Sequence, residues 1–317
     1  MLLTGHEHPD GDCLGAQAAL YHLLRTLGKD VRIHNPDPAP RSFGFLDAHA
    51  PFGFHELSGD LPPCDLVVLL DCAEISRLGK MRSAVERARP RLAVIDHHVG
   101  SEAGDGDVAY VDVDAAATGE LVHRLFKVFG QDLTRDAAEG IFVSLVSDTG
   151  WFRYSNTSCR VFAIAAELAE VGVDASEIYD LLNRRNDAGS VAVLAEAIGR
   201  SRFTADGRFG WIEVDRALIE RATHVGLDLD LVMEPLRSVG SIEVVAMLKE
   251  GPDATVKMSL RAAGDVDVQA IARRFGGGGH RKAAGAAVRG SIDQVRSSLT
   301  DEVLRAIEAL EVADGSA

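Results

Sequence analysis

Two short apolar runs, DLVVLLD at 65–71 and LAVID at 92–96, constrain this chain more than any other segment. Neither alternates with polar residues, which is the pattern of a strand buried on both faces of a parallel sheet. Residues 1–4 and 31–34 read as two further strands. Between them Leu14, Ala18, Tyr21 and Leu24 recur at helical spacing, and Gly28 supplies a stop. Residues 118–129 and 135–146 also read as helices. Strands alternating with helices imply an α/β domain with a doubly wound, mainly parallel sheet. Such sheets bind ligands outside the carboxyl ends of their strands.

The texture changes in the second half. Helical spacing continues through 160–171 and 176–184, and 186–204 reads as a helical linker. Strand-like runs then follow at 209–214, 243–248, 254–260 and 283–288, with helices expected over 267–274 and 292–310. The expected layout is a metal-binding catalytic domain over 1–185, the linker over 186–204, a smaller α+β domain over 205–312 and a disordered tail over 313–317.

The strand ends carry the chemistry. His6, Asp10 and Asp12 in HEHPDGD follow the first strand, Asp71 ends the 65–71 run, and Asp96-His97-His98 closes the 92–96 run. Asp148 lies in SDTG after a helix. Pro9 disfavours helix at His8 and Gly11 permits a tight turn, so a turn is expected to aim Asp10 and Asp12 at neighbouring points. Each piece alone is ordinary: an aspartate in a turn, a cap, a polar strand end. Their joint occurrence, in order, along one α/β domain is not. Carboxylates mixed with imidazoles suit divalent ions, Mn²⁺ first, with Co²⁺, Mg²⁺, Fe²⁺ and Zn²⁺ also compatible. Two such ions about 3.5–4 Å apart can clamp the attacking and leaving oxygens of a phosphoryl displacement.

Charge narrows the substrate. The chain of 317 residues has a formal net charge of -15, which argues against a long grip on duplex DNA. Residues 257–289 nevertheless hold seven Lys and Arg against two acids, an anion-binding surface in an acidic protein. Within it, Gly276 to Gly279 precede His280 and Arg281. Such a run offers unobstructed backbone N–H groups, and Gly278, Gly279, His280, Arg281 and nearby Arg261 are candidate substrate contacts. Arg153 in WFRYSNTS is a further candidate. The four cysteines form no CxxC pair, so free thiols are expected. No apolar run approaches the roughly 20 residues of a membrane span, and Met1 to Gly5 offers no signal-peptide pattern. The cytoplasm is the expected location.

HEHPDGD, the Asp of LLDCAEISRLG, DHH and the Asp of SDTG resemble, in order, the four motifs of the DHH phosphoesterase superfamily. GGGGH at 276–280 followed by AAG at 283–285 is similar to the signature of the DHH-associated C-terminal domain. The whole resembles the NrnA-type subgroup of bacterial oligoribonucleases (nanoRNases), which also dephosphorylate 3′-phosphoadenosine 5′-phosphate (pAp). The resemblance implies that His6 and Asp10 bind one metal ion and that Asp12, His97 and Asp148 bind another. Asp71 then bridges the two, and a water held between the ions is the nucleophile. His98 falls beside the scissile phosphate, Asp96 supports the imidazoles, and Arg261 and His280 contact substrate. Short RNA oligonucleotides cleaved to nucleoside 5′-monophosphates from the 5′ end, pAp cleaved to AMP, and a homodimer are what the resemblance implies. Linear or cyclic dinucleotides (pApA, pGpG, cyclic di-AMP) are the alternative substrates. An inorganic pyrophosphatase is disfavoured because pyrophosphate needs no base-holding loop. A RecJ-like exonuclease is disfavoured because no aromatic-rich strand-binding module is evident. A catalytically inert nucleotide sensor should lack a ligand, and all six are present. The chain departs from the family pattern at Ala16, where Ser is common, and in beginning almost directly with the first strand.

Overall fold

The computed structural model describes residues 1–57, 59–101, 104–184 and 188–313. Two compact units result, Met1–Arg185 and Asn186–Ala317. Residues 186–187 of the expected linker and 314–317 of the expected tail lie outside the described residues.

The first unit runs β1 (Leu2–Thr4), α1 (Gly11–Thr26), β2 (Arg32–Asn35), α2 (Gly44–Asp47), β3 (Phe52–Phe54), β4 (Leu66–Leu70), α3 (Arg82–Ala88), β5 (Arg91–Asp96) and β6 (Val108–Val111). Then come α4 (Thr118–Val128), α5 (Arg135–Asp148), α6 (Cys159–Val171) and α7 (Ala175–Asn183). The six strands form one sheet in the order β3-β2-β1-β4-β5-β6, with every pairing parallel. Successive side chains of a strand point to opposite faces. Leu3, Val68, Leu70 and Ile95 accordingly pack with α1, α4 and α5, while Leu2, Val67, Leu69 and Val94 pack with Leu78, Met81 and Val85 on the other face. Covering both faces is why the central runs carry no polar alternation. The order reverses between β1 and β4, which is where a doubly wound sheet opens a crevice.

The edge strands β3 and β6 and the short helix α3 were not foreseen. FGF is three residues long with a central glycine, VAYV is half exposed, and RSAVERA is mostly polar. None carries a run long enough to register as a periodicity.

Backbones come unusually close where α1 crosses α5. A methyl group placed on Gly15 would lie 2.4 Å from the Gly140 carbonyl oxygen, and one on Gly140 would lie 2.7 Å from that of Gly15. Ala16, the departure from the family's Ser, is wholly buried beside this contact.

The second unit contains α8 (Ala188–Gly199), β7 (Arg202–Phe203), β8 (Phe209–Val214), α9 (Arg216–His224), α10 (Met233–Arg237), β9 (Val244–Glu250) and β10 (Thr255–Ala262). It ends with α11 (Val268–Arg274), β11 (Gly278–His280), β12 (Ala283–Arg289) and α12 (Ile292–Ala313). Its mixed sheet has the order β11-β12-β10-β9-β8-β7, parallel at β8–β9 and antiparallel elsewhere. Val256, Met258 and Leu260 pack against α11 and α12. The stretch read as a linker is largely α8, whose Val193 and Ala197 are buried with Ile212, Val214 and Val245 of this sheet. Among the described residues no helix is long and apolar enough to cross a membrane.

The glycine crossing yields a stability prediction. Gly15→Ala should cost about 1–3 kcal/mol, because neither partner at the contact is a flexible side chain that could move away. Gly199→Ala, with open space where its methyl would sit, should leave stability unchanged or raise it. Thermal melts of both variants check this; equal melting temperatures would show that the α1–α5 contact is looser than described.

Candidate active site

The carboxyl ends of β1, β4 and β5, with the N-termini of α1 and α4 and the C-terminus of α5, bring together every metal-ligand candidate. Three groupings hold their ligand atoms within 4.8 Å of one another: His6 with Asp10 and Asp71; Asp12 with His97 and Asp148; and Asp71 with His97 and His98. Asp71 belongs to two of them, the position a bridging carboxylate needs.

The first motif folds differently from the expected turn. Asp10 is the N-cap of α1, its Oδ1 accepting from the Asp12 and Cys13 amides at 3.1 Å each. Asp12 therefore sits in the first turn of the helix rather than in a loop. Gly11 is helical and is required by space instead: a methyl there would lie 2.8 Å from Ser147 Oγ. The strained residue is His8, at φ 55° ahead of Pro9. Its largely exposed ring faces Asp37 at 3.6 Å, away from the ligands.

Asp12 is fully buried. Its carboxylate accepts from the Thr118 amide at 2.8 Å, the Gly119 amide at 3.3 Å and the Ser144 hydroxyl. These partners were not foreseen. Ser144 stands four residues before Asp148 on α5, so helical spacing could have placed both on one face. Burial, followed by the charge of Asp71, pushes the Asp12 carboxyl up to about 8. Asp71, at φ 61°, is buried yet held well below the usual carboxylate range; burial opposes this, but His6, His97 and His98 outweigh it.

Two imidazoles share one design. His6 Nδ1 lies 2.8 Å from the Glu7 carbonyl and His97 Nδ1 lies 3.1 Å from that of Ala115. A carbonyl can only accept, so each ring keeps its proton on Nδ1 and aims Nε2 inward. His6 Nε2 lies 3.4 Å from Asp71 and 3.8 Å from Asp10. His97 Nε2 lies 3.2 Å from Asp148, 3.3 Å from Asp12 and 3.6 Å from Asp71. It is buried, and none of the three carboxylates takes a properly aligned hydrogen bond from it. A lone pair facing three carboxylates is repulsive unless a cation lies between them. Burial would lower both imidazoles, but the carboxylates prevail: His6 is raised to about 10, and His97 is raised further. The donor set thus fits divalent cations, and protons hold their place in the ion-free pocket.

His98 reverses the pattern. Its Nδ1 lies 2.8 Å from Asp96 Oδ1, and this pairing raises its basicity against burial. Asp96 is buried and also accepts from the His97 and His98 amides and the Ser101 hydroxyl. It buttresses one imidazole, not both: the His97 ring is oriented by Ala115. Arg153 follows a left-handed turn, Gly150 to Phe152, and its Nε donates to the Gly150 carbonyl at 2.7 Å.

In the second unit, strand alternation puts Lys257, Ser259 and Arg261 on the sheet face away from α11 and α12. They line a cavity of about 790 Å³ with Gly278, Gly279 and Gly285. Arg261 Nη2 lies 3.5 Å from Asp230. The glycine run is not an open cradle of amides. Gly276, at φ 75°, and Gly277 donate to the Arg273 and Ala272 carbonyls and close α11, and 278–280 form the edge strand β11. A methyl on Gly277 would lie 2.1 Å from the Gly285 carbonyl, whereas one on Gly278 would meet open space. Arg281 stands apart from this cavity, donating to the Asp265 carbonyl at 3.2 Å. The His280 side chain lies outside the described part of the chain.

Comparison with known proteins identifies the two domains. The profile described as "DHH family, N-terminal domain" matches residues 1–144, and that of the DHHA1 domain matches 226–310. The bifunctional oligoribonuclease and PAP phosphatase NrnA of Thermus thermophilus is 33% identical over 309 residues, 96% of this chain and 90% of the relative. Its namesake in Bacillus subtilis is 25% identical over 91% of this chain and 89% of the relative. A crystal structure of an exopolyphosphatase-related protein from Bacteroides fragilis shares the fold, with a TM-score of 0.84 at 21% identity over 98% of this chain and 92% of the other.

The proton-filled pocket predicts a pH dependence. His6, raised from 6.5 to about 10, stabilises the ion-free fold fully below pH 6.5 and loses that contribution as pH rises through 10. Asp12, raised to about 8, acts in the same direction, since the folded state binds the extra proton. A divalent ion must expel these protons. Calorimetric titration with Mn²⁺ in buffers of different ionisation enthalpy should show proton release, and the melting-temperature gain on adding Mn²⁺ should widen from pH 6.5 to 9. A gain that shrinks over that range would contradict the protonation pattern.

Proposed function

This chain belongs to the DHH phosphoesterase family, carries its DHH-associated C-terminal domain and is a hydrolase; from that premise we propose that it cleaves short oligoribonucleotides to nucleoside 5′-monophosphates and pAp to AMP. The observation that carries the reading is the His97 Nε2 atom, buried, unpaired and aimed at Asp12, Asp71 and Asp148. Likeness to oligoribonuclease and PAP phosphatase relatives along nearly the whole chain, the second unit included, supports the substrate class.

In this proposal His6 and Asp10 hold one divalent ion, Asp12, His97 and Asp148 hold the other, and Asp71 bridges them. Mn²⁺ suits the mixed oxygen and nitrogen set, with Co²⁺, Mg²⁺ or Fe²⁺ as substitutes. When bound, the ions activate a water and offset charge on the phosphate. The protein's own groups do the rest. Asp96 fixes the His98 ring and favours its protonated form, so Nε2 can donate to a phosphate oxygen or to the leaving oxygen. The Glu7 and Ala115 carbonyls keep the His6 and His97 rings from rotating. In the second unit, Arg261 presents a fork suited to phosphate, and the floor of Gly278, Gly279 and Gly285 lets a flat base or a backbone approach closely. His280, Arg281 and Arg153 are further proposed contacts.

Asp71→Ala should lower turnover on the order of 10³-fold or more and reduce bound metal, because both ions lose a ligand. Retained Mn²⁺-dependent activity in that variant would sink the bridging assignment. Arg261→Ala should lower kcat/KM on dinucleotides about 10- to 100-fold with metal content unchanged. The substrate class is tested by incubating the Mn²⁺-loaded protein separately with pAp, a 5′-phosphorylated diribonucleotide, cyclic di-AMP and pyrophosphate. Hydrolysis of the first two is expected, and rapid turnover of pyrophosphate alone would overturn the reading.

A further inference from the structure

The helix pair that carries Asp12 and Asp148 holds a second histidine cluster at its other end. His22 stands ten residues beyond Asp12 on α1, about 15 Å along the axis. His49 follows α2, and Asp136 and Glu139 lie in the first turns of α5. His22 Nε2 and His49 Nδ1 are 2.9 Å apart, and with an Asp136 oxygen they form a group whose atoms all lie within 4.8 Å. The other His49 nitrogen, Nε2, is buried without a hydrogen-bond partner and faces Glu139 Oε2 at 3.9 Å. No step of the proposed hydrolysis uses these residues.

We propose that His22, His49 and Asp136 bind a structural Zn²⁺ ion, with Glu139 orienting His49 from behind. Two imidazoles and a carboxylate are a zinc donor set, and a fourth position is left for water. Tetrahedral ligands at Zn–N distances of 2.0–2.1 Å place two nitrogens about 3.3 Å apart, so the His22 and His49 rings need to part by only a few tenths of an ångström. With Nδ1 on the ion, His49 must carry its proton on Nε2. Glu139 Oε2, 3.9 Å from that nitrogen, would accept the proton after a small shift, giving the carboxylate–histidine–metal arrangement that zinc sites use to fix a ring. Glu139 is free to serve because Arg135 occupies its other oxygen, at 2.8 Å from Oε1. Burial, then the neighbouring His49, keeps His22 less basic than usual, so its lone pair is available at neutral pH. The ion would tie α1, α5 and the segment after α2 together at the end remote from the active site. The inference stands whatever substrate the enzyme prefers.

The competing account is a proton shared between two neutral imidazoles, which explains the 2.9 Å separation without any metal. Equilibrium dialysis of the metal-stripped chain against Zn²⁺, followed by metal analysis, separates the two. The unaltered chain should retain one more Zn²⁺ than His49→Gln. Asp71→Ala, crippled at the active site, should keep this ion, and Zn²⁺ should raise its melting temperature by about 5–10 °C. The rise should be smaller in the Asp71→Ala/His49→Gln double variant, in which any Zn²⁺ left on Asp12, His97 and Asp148 is common to both. Asp136→Asn, at the start of α5, gives the same readout if the His49 variant does not fold. Equal zinc content in the unaltered chain and these variants, or no zinc-induced shift in Asp71→Ala, would overturn the proposal.

Discussion

The Asp12 carboxylate is closed off from water and accepts from two backbone amides and one hydroxyl. An unmatched charge there would cost several kcal/mol. The match comes from α4, whose N-cap is Ala117 and which has no side chain of its own to close its first turn. Asp12 closes it across space, at the positive end of the helix dipole. One proposed metal ligand therefore also terminates a helix that lies 106 residues away in sequence. The arrangement requires α1, α4 and α5 to approach to backbone distance. Gly15, Gly140 and Gly119 permit that approach, since a methyl on Gly119 would lie 2.2 Å from Ser144 Oγ.

From that anchor the remaining ligands follow, several against local preference. Asp148 ends α5, where the helix dipole disfavours an acid. Asp71 adopts a left-handed backbone directly after a strand, tied to the sheet by the hydrogen bond its amide donates to the Ile95 carbonyl. His97 aims its Nε2 at three carboxylates. In the ion-free fold these choices are tolerated only because protonated imidazoles stand among the carboxylates, and sites that break local rules together are where a sequence serves chemistry instead of folding.

Much of this is legible in the sequence. The DLVVLLD and LAVID runs announced central strands because burial on both faces leaves no polar residue to blur the signal. Five of the six ligand candidates stood out because they lie at or just after strand ends, which converge in a doubly wound sheet whatever the loops do; Asp148, at the end of α5, stood out by its place in SDTG. What sequence hid was contact between elements: Thr118, Gly119, Ser144 and Ala115 act through backbone groups or a lone hydroxyl, which carry no motif. Gly11 was misread for a related reason. A glycine tolerated for φ and one required by a close neighbour look alike in one dimension, and here Ser147 decides. The glycines at 276–279 held the same ambiguity, resolved toward a helix stop and an edge strand. His22 and His49 went unnoticed because they lie 27 residues apart and match no spaced motif.

Charge orders the events that such a site can support. In the ion-free pocket, where Asp12 keeps a proton, the remaining carboxylates of Asp10, Asp71 and Asp148 would repel a phosphate, and the two protonated imidazoles only partly offset them. With the two divalent ions of the proposed mechanism, four negative charges meet four positive ones, and neutralised imidazoles become ligands. The ions must therefore precede the substrate, and the pocket they leave is close to neutral. A near-neutral pocket holds a phosphate through coordination geometry and has little long-range pull on a polyanion. Attraction and selection then fall to the basic stretch between Lys257 and Arg289, which has its own core and sheet. That stretch can vary without disturbing Asp12 or its neighbours. On the proposed mechanism the reaction class is written in the first unit, while preference among small nucleotides belongs to the second.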